Sequence, residues 1–65
     1  MTITVNGQPQ EITPGTTVLT LLEARKLPPD KVAIELNRRL LRSEKYTAEL
    51  KDGDAIEIVT FVGGG

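Results

Sequence analysis

The sequence predicts an α+β fold: a mixed sheet of four to five strands with one main helix packed across one face. Three observations predict it. Residues 1–5 and 55–62 are rich in β-branched side chains and alternate in character, the period-two signature of a half-buried strand. Asn6-Gly7, directly after the first of these stretches, is the dipeptide that best accepts the positive φ angles of a two-residue hairpin turn. Between that turn and Pro28-Pro29, apolar residues at helical spacing occur in a single segment around Val18, Leu21 and Leu22.

Taken in order, Ile3 and Val5 share one face of the first strand, and residues 8–12 return as the second. Pro9 has no N–H for a ladder, so this second strand belongs at an edge. Thr13-Pro14-Gly15-Thr16 is turn chemistry, and Thr16 or Thr17 supplies a hydroxyl to cap the helix that follows. Its apolar stripe is expected to comprise Val18, Leu21, Leu22 and Ala24. The helix must end before Pro28-Pro29, because a residue preceding proline is pushed out of the helical region. Leu27 is expected to fold back and close its end. Residues 31–36 form a third strand, with Val32, Ile34 and Leu36 alternating with Ala33 and Glu35. Asn37-Arg38 makes a turn, although glycine at position 38 would suit it better, and residues 39–42 give a short fourth strand. Residues 43–50 are a polar connection with room for one helical turn, anchored by Tyr46 and Leu50. Asp52-Gly53-Asp54 is a tight turn into the last strand, residues 55–62. If the helix joins two parallel strands, the first and last strands lie side by side in the middle of the sheet, which is the β-grasp arrangement.

Composition narrows the chemistry. The chain has 65 residues, enough for one domain, here residues 1–62 with a glycine tail at 63–65. It contains no cysteine and no histidine, which removes disulfides, a thiol nucleophile, a zinc knuckle and the commonest general base. The formal net charge is −1, against the basic face expected of a nucleic-acid binder. No apolar run approaches the roughly 20 residues that cross a bilayer. The start of the chain lacks the basic and apolar regions of a signal peptide, so a cytoplasmic location is the expectation. No metal site and no bound cofactor are expected, and no pair of residues forms an acid–base or nucleophile constellation.

The tail Gly63-Gly64-Gly65 offers a different chemistry. Residues without Cβ atoms thread narrow channels and let another backbone approach closely. Three extended residues reach about 10 Å, far enough to carry a terminal carboxylate into a neighbour's active site. A carboxylate is a poor electrophile until ATP converts it to an acyl-adenylate. A sulfur nucleophile then displaces AMP and leaves a thiocarboxylate. With no cysteine, the C-terminus is the evident place for this chain to hold sulfur, and an adenylating partner is required.

Lys51-Asp52-Gly53-Asp54, the strand Ala55-Ile56-Glu57-Ile58-Val59 and the ending Phe61-Val62-Gly63-Gly64-Gly65 resemble the C-terminal region of the thiamine-biosynthesis sulfur carriers, the ubiquitin-like ThiS family. Ile3-Thr4-Val5-Asn6-Gly7, Thr17-Val18 and Leu21-Leu22 are similar to that family as well, so the likeness spans nearly the whole chain. Arg38 departs from it, since the family often has glycine there. The resemblance implies that an E1-like adenylyltransferase (ThiF in that family) adenylates Gly65. It also implies that a cysteine desulfurase or another persulfide donor supplies sulfur, and that the Gly65 thiocarboxylate passes it to thiazole synthase (ThiG-like). Gly63 and Gly64 would let the tail lie flat in both partners, and the chain would be a co-substrate rather than an enzyme. Other readings stand beside this one: the small subunit of molybdopterin synthase, a sulfur carrier of another pathway, or a β-grasp interaction module with no chemistry at its end.

Alternation along the last strand puts Ile56, Ile58, Thr60 and Val62 on one face and Ala55, Glu57, Val59 and Phe61 on the other. One face must cover the helix. Phe61 either tucks against the rim of the core or stands outward with Val59 as an apolar docking patch beside Val62, which Leu40 or Leu41 would extend. Arg38, Arg39 and Arg42 form a basic cluster, either solvated or complementary to an acidic partner. Asp54 and Glu57 are expected to face solvent.

Overall fold

The computed structural model describes residues 1–61; the tail positions Gly63, Gly64 and Gly65, and Val62 before them, lie outside the described residues. Among the described residues there are five strands: β1 (Thr2–Val5), β2 (Gln8–Glu11), β3 (Val32–Leu36), β4 (Arg39–Leu41) and β5 (Ala55–Thr60). They form one mixed sheet in the order β2-β1-β5-β3-β4. β1 and β5 run parallel in the centre, while the β1–β2, β3–β4 and β3–β5 pairs are antiparallel. The proline-bearing β2 is an edge strand, where a missing N–H costs nothing. The α-helix α1 (Val18–Ala24) lies in the connection between β2 and β3. The expected β-grasp topology is therefore the observed one.

Both hairpins close on two residues at positive φ. Asn6 and Gly7 sit at 51° and 82°, and Asn37 and Arg38 at 52° and 71°. These are the values a primed turn demands, because only such turns match the twist of the flanking strands. Arg38 is thus held in the left-handed region, which an L side chain enters at a cost of roughly 1–2 kcal/mol.

Helix α1 has only seven residues, too few to persist alone in water. Its ends are fixed by local bonds. Thr17 is the N-cap: its hydroxyl accepts from the Thr20 N–H at 3.1 Å, and the Thr17 N–H donates to Thr20 Oγ1 at 2.9 Å. At the other end the Leu27 N–H donates to Leu22 O at 2.9 Å and the Lys26 N–H to Glu23 O at 3.0 Å. Lys26, at φ 59°, occupies the left-handed position usually given to glycine, and Leu27 packs back on the core.

The core is one cluster: Ile3, Val5, Val32, Ile34, Ile56 and Ile58 from the sheet, Val18, Leu21 and Leu22 from α1, and Tyr46 and Leu50 from the connection after β4. The same connection is stitched to the start of α1, with the Leu19 N–H donating to Tyr46 O and the Leu50 N–H to Thr16 O. The second strand ends at Glu11 rather than at residue 12, and the last ends at Thr60 rather than running on to residue 62. Further details differ from the sequence reading. Ala24 is exposed, and Leu19 is partly buried in its place, because the face centred on Val18 and Leu22 leaves position 24 well round the helix. The third strand begins at Val32 rather than at residue 31, since Pro29–Lys31 forms a 3-10 turn. The fourth strand is Arg39–Leu41, and Arg42 precedes a 3-10 turn at Ser43–Lys45. Among the described residues no helix is long and apolar enough to cross a membrane.

Candidate functional site

β5 is the strand that precedes the glycine tail in sequence, and its own placement is what the described residues define. Three neighbours hold it. β3 pairs along its length, from Leu36 opposite Ile56 to Val32 opposite Thr60. The Phe61 N–H then donates to Lys31 O at 2.8 Å, which carries the pairing one residue beyond the strand. On the other side β1 stops at Val5, and the side chain of Asn6 takes over. The Ile58 N–H donates to Asn6 Oδ1 at 2.7 Å, and Asn6 Nδ2 donates to Ile58 O at 3.3 Å. A side-chain amide thereby occupies the place that the next residue of a parallel strand would fill.

The start of β5 is set in a similar way. The Ala55 N–H donates to Asn37 Oδ1 at 2.9 Å, and Asn37 Nδ2 donates to Asp54 Oδ1 at 3.0 Å. Asp54 Oδ2 accepts from the Lys51 N–H at 2.8 Å. Asp54, expected to be merely a solvent-facing charge, is half-buried and closes the turn at 52–54. Thr2 ties the same turn to β1, its N–H donating to Asp52 Oδ1 and its C=O accepting from the Gly53 N–H, each at 2.8 Å.

β5 alternates through Val59, while Thr60, of the core-facing set, is exposed. Ile56 and Ile58 turn into the core, while Glu57, Val59 and Phe61 are exposed. Val59 and Phe61 are each 57% exposed and Leu40 is 72% exposed, so Phe61 stands outward and does not tuck against the core rim. Leu41 packs on the core instead, which leaves Leu40 as the outward member of the pair. Register places Leu40 opposite Glu35, Glu35 opposite Glu57, and Ala33 opposite Val59. Arg38, Arg39 and Arg42 are exposed near the β4 edge, and Arg42 Nε lies 3.8 Å from Glu44 Oε2.

Sequence reasoning found Val59 and Phe61 from alternation alone. It passed over Glu35, whose partner depends on register, and over the Asn6 side chain, whose turn-forming role hid its second function. Among the described residues there is no pocket and no group of three His, Cys, Asp or Glu able to hold a metal ion. The described surface therefore offers an apolar sheet face beside the exit of β5, with acidic side chains set in it.

Comparison with known proteins gives this surface a context. The model of the ThiS family matches residues 3–65. A thiazole synthase of Magnetococcus marinus is 41% identical over 66 aligned positions that take in all of this chain but only 20% of the relative, so the chain spans about a fifth of that protein's length. The sulfur carrier protein ThiS of Bacillus subtilis is 44% identical over 50 residues, covering 75% of this chain and 76% of its own. Among solved structures, the crystal structure of the thiamine biosynthesis protein ThiS from Geobacter metallireducens superposes with a TM-score of 0.77 at 41% identity, with both chains wholly covered. A ubiquitin-like protein from Caldiarchaeum subterraneum superposes with a TM-score of 0.55 at 26% identity, covering 98% of this chain and all of its own.

Proposed function

The chain belongs to the ThiS family, and from that premise we propose that it carries sulfur for thiazole formation in thiamine biosynthesis, on the carboxyl carbon of Gly65. The observation that carries this reading is the extent of the family match, which runs from Ile3 through the glycine run to Gly65. As a member of that family the chain is a small ubiquitin-like carrier rather than a catalyst. Its folded part presents a reagent and does no chemistry on it.

In this reading a Gly65 carboxylate oxygen attacks the α-phosphorus of ATP in the active site of an E1-like adenylyltransferase, and pyrophosphate leaves. A persulfide sulfur, supplied by a cysteine desulfurase or a similar donor, attacks the carbonyl carbon, and AMP leaves with its bonding pair. A second thiol then cleaves the S–S bond, forming a disulfide with the donor and releasing the Gly65 thiocarboxylate. Thiazole synthase is the acceptor of that sulfur. Gly63 and Gly64 provide the slim approach to both active sites, and Val59, Phe61 and Val62 form the adjoining contact. ATP is bound by the partner. The ThiS match favours this pathway over that of molybdopterin.

Intact-mass measurement tests the reading. The chain is incubated with the adenylating enzyme, ATP, a cysteine desulfurase, cysteine and a reducing thiol. The expected product is heavier by the replacement of one oxygen with sulfur. An unchanged mass in a system that thiolates another carrier would refute it and leave a β-grasp interaction module in its place.

A further inference from the structure

An asparagine followed by glycine is open to attack by its own main chain, because glycine carries no Cβ to hinder the approach. The chain has two asparagines, Asn6 before Gly7 and Asn37 before Arg38, so only the first meets that condition. Asn6 is exposed, and a side-chain carbon at Gly7 would meet nothing within 4 Å, so water and a closing ring both have room. What stands in the way is β5. The Ile58 N–H donates to Asn6 Oδ1 at 2.7 Å, and Asn6 Nδ2 donates to Ile58 O at 3.3 Å. Both side-chain atoms sit on Cγ, the carbon that would be attacked. Cγ therefore turns to the Gly7 nitrogen only when both bonds to Ile58 break.

We propose that Asn6 is a deamidation site which the folded chain latches shut through Ile58, and whose conversion permanently releases that part of β5. In the step, hydroxide takes the Gly7 amide proton and the nitrogen attacks Asn6 Cγ, closing a cyclic imide through a new C–N bond. The Cγ–Nδ2 bond breaks, and ammonia leaves with a proton from water. Water then adds to an imide carbonyl and cleaves its C–N bond. Opening at one carbonyl leaves an aspartyl residue at position 6, and opening at the other an isoaspartyl residue. Neither product rebuilds the latch. A carboxylate only accepts, so the donor to Ile58 O is lost and an oxygen confronts an oxygen. The isoaspartyl form also lengthens the main chain within a tight turn that sits at φ 51° and 82°. The latch thus protects the residue that makes it, and each opening at Ile58 exposes Asn6 to irreversible loss. None of this chemistry depends on what residues 62–65 carry.

Ageing the full chain in mildly alkaline buffer, folded and in guanidinium chloride, tests this. Peptide mapping by mass spectrometry reads the replacement of NH2 by OH at position 6, with Asn37 as the internal control. Isomerisation at Asp52-Gly53, the other pairing with glycine of this kind, changes no mass and does not interfere. Amide exchange of Ile58 is recorded in parallel. In the unfolded chain, conversion of Asn6 is expected to outpace that of Asn37. Folding is expected to slow it at least about tenfold, by the factor that exchange of the Ile58 amide is slowed. The converted form, separated by anion exchange, and the variant N6D are both expected to show faster exchange at Ile58 and a lower thermal midpoint. An unfolded chain that does not convert at Asn6 overturns the site. A folded rate equal to the unfolded one, or one that does not track Ile58 exchange, overturns the latch. Unchanged Ile58 exchange in the converted form overturns the release, and that reading stands even where N6D does not fold.

Discussion

Asn6 clamps the backbone of Ile58 at two points, accepting from its N–H at 2.7 Å and donating to its C=O at 3.3 Å. One residue thus serves two structures. Its backbone, at φ 51°, makes the first hairpin turn, and its side chain continues the parallel ladder after β1 has ended. β5 is held on both sides until two residues before Thr60, the last residue of the strand.

Replacing Asn6 with glycine keeps the turn and removes the clamp. Loss of two hydrogen bonds is expected to cost about 1–2 kcal/mol in urea denaturation. Amide exchange should accelerate at Ile58 more than at Ile34. Asn6→Ala should cost roughly 1 kcal/mol more than Asn6→Gly, because alanine also resists the positive φ. Equal exchange at Ile58 in wild type and N6G would contradict the clamp.

Arg38 predicts a gain. At φ 71° it occupies the second turn position, where glycine carries no steric penalty. Arg38→Gly is expected to stabilise the chain by about 1 kcal/mol, less the added entropy of the unfolded state. A lower thermal midpoint would show that the arginine side chain makes a compensating contribution.

Thr17→Ala removes the hydroxyl that caps α1 and leaves Thr20 Oγ1 with half of the reciprocal pair. The expected loss is about 0.5–2 kcal/mol. Because α1 depends on tertiary packing, circular dichroism and tryptophan-free probes such as Tyr46 fluorescence should report one shared unfolding transition at a lower midpoint.

Leu22 is 0% exposed and sits beneath the sheet. Leu22→Ala is expected to cost about 2–5 kcal/mol by lost transfer energy and the cavity left behind. In a domain this small that is a large share of the total, so the variant should be substantially unfolded at 37 °C by amide exchange.

Removing Gly65, or appending residues after it, is expected to leave the unfolding midpoint unchanged and to abolish adenylation, read as ATP–pyrophosphate exchange with the adenylating partner. Turnover by either variant without trimming would contradict Gly65 as the reacting residue.

Much of this was legible in the sequence because it is local. Alternation placed Ile3, Val5, Ile56 and Ile58 in the core, Asn6-Gly7 announced its turn, and Pro9 marked an edge strand. Proline and threonine bracketed α1. The family resemblance rested on equally local strings, above all the Asp-Gly-Asp turn and the run from Phe61 to Gly65. These signals arise from one residue's φ preference or from a neighbour two to four positions away.

Tertiary structure alone decided the rest. Whether Leu40 or Leu41 faced outward, and whether Phe61 was covered, depended on how β4 and β5 register against β3. Glu35 acquired Glu57 as a neighbour only through that pairing, across 21 intervening positions of chain. Asn6 reached Ile58 only because β1 and β5 lie parallel in the centre of the sheet. Sequence spacing fixes which face a side chain takes within its own strand. Which residue stands opposite is set by the hydrogen-bond register between strands, and that is settled when the whole apolar face closes over α1.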